Sequence, residues 1–220
     1  MVNAGYDKKD IAGMTPKEQL KQITKQTHDL VEEQYRIYNH SLLPQLKING
    51  VRVIKEHEQL SEAEAEYVDR YYEENIYPVL TPMAVDSSRP FPLIRNKSLN
   101  IGALVRKKDG GEILEFATVQ VPSVLPRIIE LPGEEGERLL IPLEEVIERN
   151  IEKLFLNYEI VCAHPFRIMR NADLSIDEDG AEDLLVEIQK QLKKRQWGEV
   201  IRLEVEDKTD SRLLGILKKE

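Results

Sequence analysis

One cysteine in 220 residues, Cys162, leaves nothing with which to build an internal disulfide or a cysteine-based zinc site. That usage fits a reducing compartment, and a cytoplasmic location is expected. Long apolar runs are missing too. No stretch of about 18 apolar residues occurs, so no membrane-spanning helix is expected. The opening, MVNAGYDKKDIAGM, has no apolar core of signal-peptide length and reads as the interior of a longer protein. Positive charge is the minority sign: 31 Lys and Arg stand against 40 Asp and Glu, a net charge of −9. So acidic a chain is a poor generic polyanion binder, which argues against nucleic acid and anionic membrane as partners. Phosphate-cradling loops are also lacking, with neither GxxxxGK[ST] nor GxGxxG present. Asp109-Gly110-Gly111 reads as a hairpin turn.

What the chain does have is a proline-rich seam. Tyr77 to Val105 carries Pro78, Pro82, Pro90 and Pro92. Each proline removes a backbone donor and biases the residue before it toward extended geometry, so a helix over 77–94 is excluded. Val79, Leu80, Met83, Val85, Phe91, Leu93 and Ile94 make this stretch too apolar for a free linker, and it is expected to lie packed. The pattern before it is helical and the pattern after it is strand-like. The organisation expected is therefore a loose start over 1–14, a helical segment over 15–78, an extended connector over 79–97 and an α+β head domain over 98–220, truncated at its C-terminus. The fold class is α+β: an N-terminal helical segment followed by a mixed sheet with helices packed on it.

Within the helical segment, Thr15-Pro16-Lys17-Glu18 is a capping box with proline at the first helical position. Leu20, Ile23, Leu30, Val31, Tyr35, Ile37, Tyr38 and Leu42 fall within roughly 160° of arc, a face wide enough to bury against a partner helix. Pro44 is expected to end or kink that helix. Val51 to Ile54 is a short extended piece. Ser61-x-x-Glu64 opens a second helix to about Asn75, with Tyr67, Val68, Tyr71 and Tyr72 on its apolar side. In the head domain, Leu99, Ile101, Ala103 and Val105 alternate along a strand, and 113–121 returns antiparallel. Short strands are expected over 125–131 and 138–141, and a helix from Pro142. A long strand over 159–170 follows, then a helix between Asp177-Glu178-Asp179 and Lys193-Lys194-Arg195. A strand over 200–206, with Ile201, Leu203 and Val205 inward, precedes a last helix capped by Thr209 or Asp210.

Three stretches share a resemblance: Tyr71–Val105 (YYEENIYPVLTPMAVDSSRPFPLIRNKSLNIGALV), His164–Asp207 (HPFRIMRNADLSIDEDGAEDLLVEIQKQLKKRQWGEVIRLEVED) and Gln34–Leu46 (QYRIYNHSLLPQL). In this order they resemble bacterial polyphosphate kinase of the histidine-phosphorylated type. The sequence departs from the common pattern at Ser88-Arg89, where a residue like histidine often precedes Pro-Phe-Pro. The resemblance implies a parent with a helical N-terminal domain, a head domain and two C-terminal catalytic domains. Such a parent passes the γ-phosphoryl of ATP through a phosphohistidine to polyphosphate, with Mg²⁺ and arginines neutralising charge. This chain would then hold the end of the first domain and most of the head domain. Its partners would be the rest of the same polypeptide and a second subunit, with the parent able to sit peripherally on a membrane.

None of His28, His40, His57 and His164 lies in a matching catalytic motif, and each reads as an ordinary structural histidine. No catalytic, cofactor or metal residue is therefore assigned, and ATP and Mg²⁺ belong to the parent. Glu144-Glu145, Asp177-Glu178-Asp179 and Glu182-Asp183 read as helix first turns whose charges complement the dipole. Arg89, Arg95, Arg167, Arg170 and Asn171 either line a polyanion path or are solvated and ion-paired. Tyr71, Tyr72, Phe91 and Trp197 either serve self-association or pack within the chain. A stand-alone assembly module without a kinase parent is the other class the sequence admits.

Overall fold

A computed structural model describes residues 5–85, 91–110, 113–133, 136–171 and 198–219. The helix expected between Asp177 and Arg195 lies outside the described residues, as do Arg89 and Trp197. The chain divides into two compact units, one of residues 1–53 with 133–139, the other of 54–132 with 140–220.

The first unit is built on helix α1 (Pro16–Ile37). The capping box forms as the sequence dictates: Thr15 accepts the Glu18 N–H, and Glu18 accepts the Thr15 N–H at 2.8 Å. Pro44 does not simply end the helix. A π-helical turn over Tyr38–Leu42 precedes helix α2 (Leu43–Ile48), where Pro44 occupies the first turn. A wide turn there absorbs the clash between a proline ring and the carbonyl four residues back. Strand β1 (Val51–Val53) follows a turn at Gly50, whose φ of 77° suits glycine. A Cβ there would also stand 2.8 Å from the Gly136 carbonyl oxygen.

The expected burial of α1 is not met. None of its residues is buried; Leu20 is 54% and Leu30 71% exposed. The apolar stripe is real, but no partner helix covers it among the described residues.

In the second unit, α3 (Glu62–Tyr71) is opened by the Ser61–Glu64 capping box and runs into a π turn over Tyr72–Ile76. Val68, Tyr72 and Ile76 are buried. This burial explains why the units divide after Val53, whereas composition placed the seam at the prolines: the second capped helix belongs with the sheet. The connector also differs from its expected form. Tyr77–Val79 is a 3-10 turn, tolerated because Pro78 sits in its first positions, where no backbone donor is needed. Pro82–Val85 then joins the main sheet as edge strand β2. Of its apolar residues, Ile94 is buried and Phe91 stacks on Phe116 at 4.8 Å, but Val79, Met83 and Leu93 are exposed.

The main sheet has the order β2-β4-β3-β7-β8, with β3 Leu99–Lys107, β4 Leu114–Gln120, β7 Tyr158–Arg170 and β8 Val200–Val205. Its pairings are antiparallel. With the helices placed beside it, the fold is α+β. Strand β3 is central, and it is buried from Asn100 to Val105 on both faces, not only on the one that alternation marked. Gly102 is needed here: a Cβ would lie 3.2–3.3 Å from the rings of Phe166 and Phe116. Ile94, Leu104, Phe116, Phe166, Ile168 and Leu213 form one core cluster. Leu213 lies on α5 (Ser211–Lys219), whose Ile216 and Leu217 follow at helical spacing against the same cluster. Ile201 does not face inward as expected. It is 64% exposed, at the start of edge strand β8. Strands β5 (Ile128–Leu131) and β6 (Arg138–Pro142) belong to a smaller sheet, and β6 leads into α4 (Leu143–Arg149). Asp69 of α3 receives a two-pronged ion pair from Arg149 at 2.8 and 3.0 Å and a hydrogen bond from Asn150 at 3.1 Å, tying α3 to the end of α4.

Candidate functional site

Two groups of polar side chains in the second unit carry chemistry. The first is at the end of β7, where the sequence placed its arginines. Arg167 is exposed, and its guanidinium is paired with Glu204 across the β7–β8 ladder at 2.5 Å. Arg170 points its guanidinium at backbone: Nε donates to the Ile94 carbonyl at 3.1 Å and Nη1 to the Gly198 carbonyl at 3.0 Å. Its own N–H donates to Asn96 Oδ1 at 2.9 Å. Arg170 therefore knits the end of the connector and the segment before β8 to the sheet. Lys97, with φ of 61°, makes the turn that allows this and donates its N–H to the Ile168 carbonyl at 2.9 Å. Arg95 is exposed in the same turn, and its carbonyl accepts from the Ser98 hydroxyl at 2.9 Å. Asn171 donates its N–H to Glu199 at 2.7 Å. The structure thus brings Arg95, Arg167, Arg170 and Asn171 to one end of β7. Two of the guanidiniums are engaged by protein acceptors.

The second group was not legible from spacing. Glu148 of α4, His164 of β7 and Glu206, one residue past β8, each offer a donor atom, and the three atoms lie within 4.8 Å of one another. His164 Nδ1 lies 3.1 Å from Glu206 Oε2. The Glu148 side chain makes no hydrogen bond or ion pair among the described residues, although its backbone carbonyl accepts from the Asn150 N–H. Burial, followed by the neighbouring carboxylates of Glu206, Glu145, Glu58 and Glu144, pushes its carboxyl up to about 8. Beside this group, buried Glu145 accepts the His57 N–H at 3.0 Å and lies 3.4 Å from His57 Nδ1, at ion-pair distance but without hydrogen-bond geometry. The Glu145 carboxylate beside the ring raises the His57 pKa, more than burial lowers it. Glu144 pairs with Arg127. Intervals of 16 and 42 positions separate Glu148, His164 and Glu206, so only the β7–β8 register and the packing of α4 bring them together.

The candidates for self-association divide differently. Tyr72 is fully buried and Phe91 is part of the core periphery, so packing within the chain accounts for both. Tyr71 stacks on Tyr67 with ring centroids 6.3 Å apart. In the first unit, Gln34, Tyr35, Ile37, Tyr38 and Leu42 line an open hollow on the α1 stripe.

A helical segment followed by an α+β sheet domain matches two family models in register: polyphosphate kinase N-terminal domain over residues 1–54 and polyphosphate kinase middle domain over 63–220. The chain belongs to the polyphosphate kinase family. It is 47% identical over 207 residues to a polyphosphate kinase of Halalkalibacterium halodurans, covering 94% of this chain and 29% of that protein. It is 42% identical over 221 residues to one from Bacillus anthracis, covering 98% and 31%. A crystal structure of polyphosphate kinase from Porphyromonas gingivalis superposes with a TM-score of 0.61 at 25% identity, over 67% of this chain and 25% of that one. The chain thus spans about three-tenths of the length of the curated relatives it matches. No described helix is long and apolar enough to cross a membrane.

Proposed function

We propose that this chain is the scaffolding piece of a polyphosphate kinase. In this reading the parent moves the ATP γ-phosphoryl through a phosphohistidine to polyphosphate, using Mg²⁺, in the cytoplasm. The piece described here holds subunits together and positions the catalytic part. The observation that supports the reading best is the pair of domain matches, N-terminal and middle, which between them account for nearly all of the chain. The bare apolar stripe of α1 fits a piece that leans on further protein, because exposed apolar surface of that extent marks an interaction face. The arginines at the end of β7 are offered as a secondary contact for polyphosphate, with Arg95 and Arg167 the exposed cations.

The test is direct. Purified chain, incubated with γ-labelled ATP and Mg²⁺, is expected to take up no label. Light scattering over a concentration series, with and without polyphosphate, is expected to show a dimer. Labelled chain would overturn the non-catalytic reading. A monomer at every concentration would overturn the assembly role.

A further inference from the structure

We propose that Glu148, His164 and Glu206 form a binding site for a divalent cation of the zinc class. Three different elements supply the donors, one each, and their ligand atoms already lie within 4.8 Å of one another. Ligands on a tetrahedral zinc at about 2.0–2.1 Å stand roughly 3.3–3.4 Å apart, so closure needs the donor atoms to move together by about 1.5 Å at most. His164 and Glu206, at 3.1 Å, are at that spacing already.

The surroundings favour a metal over a plain ion pair. His164 meets one carboxylate, Glu206, at 3.1 Å. Glu148 is left half-buried with no cationic side chain bound, and Glu145, Glu58 and Glu144 add to the negative field around it. A divalent ion would take both glutamates as carboxylate ligands, releasing to solvent the proton that burial holds on Glu148, while a ring nitrogen of His164 coordinates as a neutral base. The donor set selects the metal. An imidazole nitrogen with two carboxylates suits zinc or a similar first-row ion, whereas Mg²⁺ and Ca²⁺ prefer oxygen alone. Three protein ligands leave a fourth position for water or for a ligand's own oxygen. Bound metal would fix α4, β7 and the end of β8 to one another, making this a structural clamp within the second unit. The inference stands independently of the scaffolding reading.

The experiment uses the whole 220-residue chain, stripped with chelator. Calorimetric titration with Zn²⁺ is expected to give one site per chain, and Co²⁺ is expected to give the visible absorption bands of a four- or five-coordinate ion. Glu148→Gln, nearly isosteric, and Glu206→Gln, at a partly exposed position, are each expected to weaken Zn²⁺ binding by about tenfold or more. Thermal unfolding without metal would confirm that at least one variant folds like the parent chain. Excess Mg²⁺ is expected to leave the site occupied by zinc. Absence of Zn²⁺ binding, or binding undiminished in the folded variants, would overturn the assignment. Displacement by Mg²⁺ would overturn the choice of metal class.

Discussion

Helix α1 and strand β3 are both apolar at the positions their periods demand, yet they end in opposite situations. No residue of α1 is buried, while β3 is enclosed from Asn100 to Val105. Local signals suffice to start α1: the Thr15–Glu18 box, Pro16 at its first position, and an Arg36–Glu33 ion pair at its end. They cannot supply the surface that the stripe was written for. Strand β3 needs no local signal beyond alternation, because β4 and β7 flank it and side chains cover both faces. Periodicity therefore reports what a segment is suited to bury against, not that the partner is at hand.

The sharpest way to break this comparison is to truncate one residue of each kind. Phe166→Ala removes a ring that is 2% exposed and lies over Gly102, and is expected to cost about 3–5 kcal/mol in urea unfolding. Leu30→Ala, at a position 71% exposed, is expected to stay within about 0.5 kcal/mol. Equal losses would show that α1 is covered in solution. Next in size is Gly198→Ala. Its new Cβ would run into the Asn171 carbonyl oxygen, a backbone atom that cannot swing aside, and an overpacking cost of about 1–3 kcal/mol is expected in the same assay.

Asp69→Ala should cost less, about 1 kcal/mol, because the pair with Arg149 is about a third exposed. Burial raises the Asp69 pKa, but hydrogen bonds from Arg149 and Asn150 outweigh it and hold the folded value below 3.8. The group therefore stabilises the fold above its unfolded pKa, and the contribution is lost as pH falls through the lower folded value. Acid titration of wild type against Asp69→Ala checks this: the difference between them should vanish at low pH. The smallest effect expected is at His57, where the folded pKa lies above 6.5 under the influence of Glu145 and Glu58, opposed by burial and Arg149. Its contribution is complete below about pH 6.5 and fades as pH rises through the raised value. His57→Gln should remove that slope from stability measured between neutral and mildly alkaline pH.

Much of the fold was legible because it is written locally. Both capping boxes, the β3–β4 alternation, Pro142 ahead of α4 and the strand ending at Arg170 are short-range patterns with a physical cause. What failed was long-range. The prolines of the connector suggested a boundary, but Pro82–Val85 pairs with β4, and the register that allows it cannot be read from proline spacing. Ile201 alternates like an inward residue, yet it starts an edge strand. Arg167, Arg170 and Asn171 share one strand end because they lie within five positions of one another, whereas the turn carrying Arg95 reaches them only through the fold. The Glu148–His164–Glu206 group was not legible, because three elements far apart along the chain had to fold before it existed.

The double flank of β3 also orders events in time. Its partners in β4 are 8 to 20 positions away, as Arg106 opposite Leu114 and Asn100 opposite Gln120 show. Those in β7 are 51 to 68 positions away, from Lys107 opposite Tyr158 to Leu99 opposite Arg167. Closing the shorter loops costs less entropy, so the β3–β4 hairpin is expected to form first and to wait with one edge open. Pulse-labelled hydrogen exchange that found β7 amides protected before those of β4 would refute that order. A chain emerging from the ribosome would hold that apolar edge unpaired until β7 had been synthesised, which makes the interval between the two strands the period when a chaperone or a neighbouring nascent chain can compete for it.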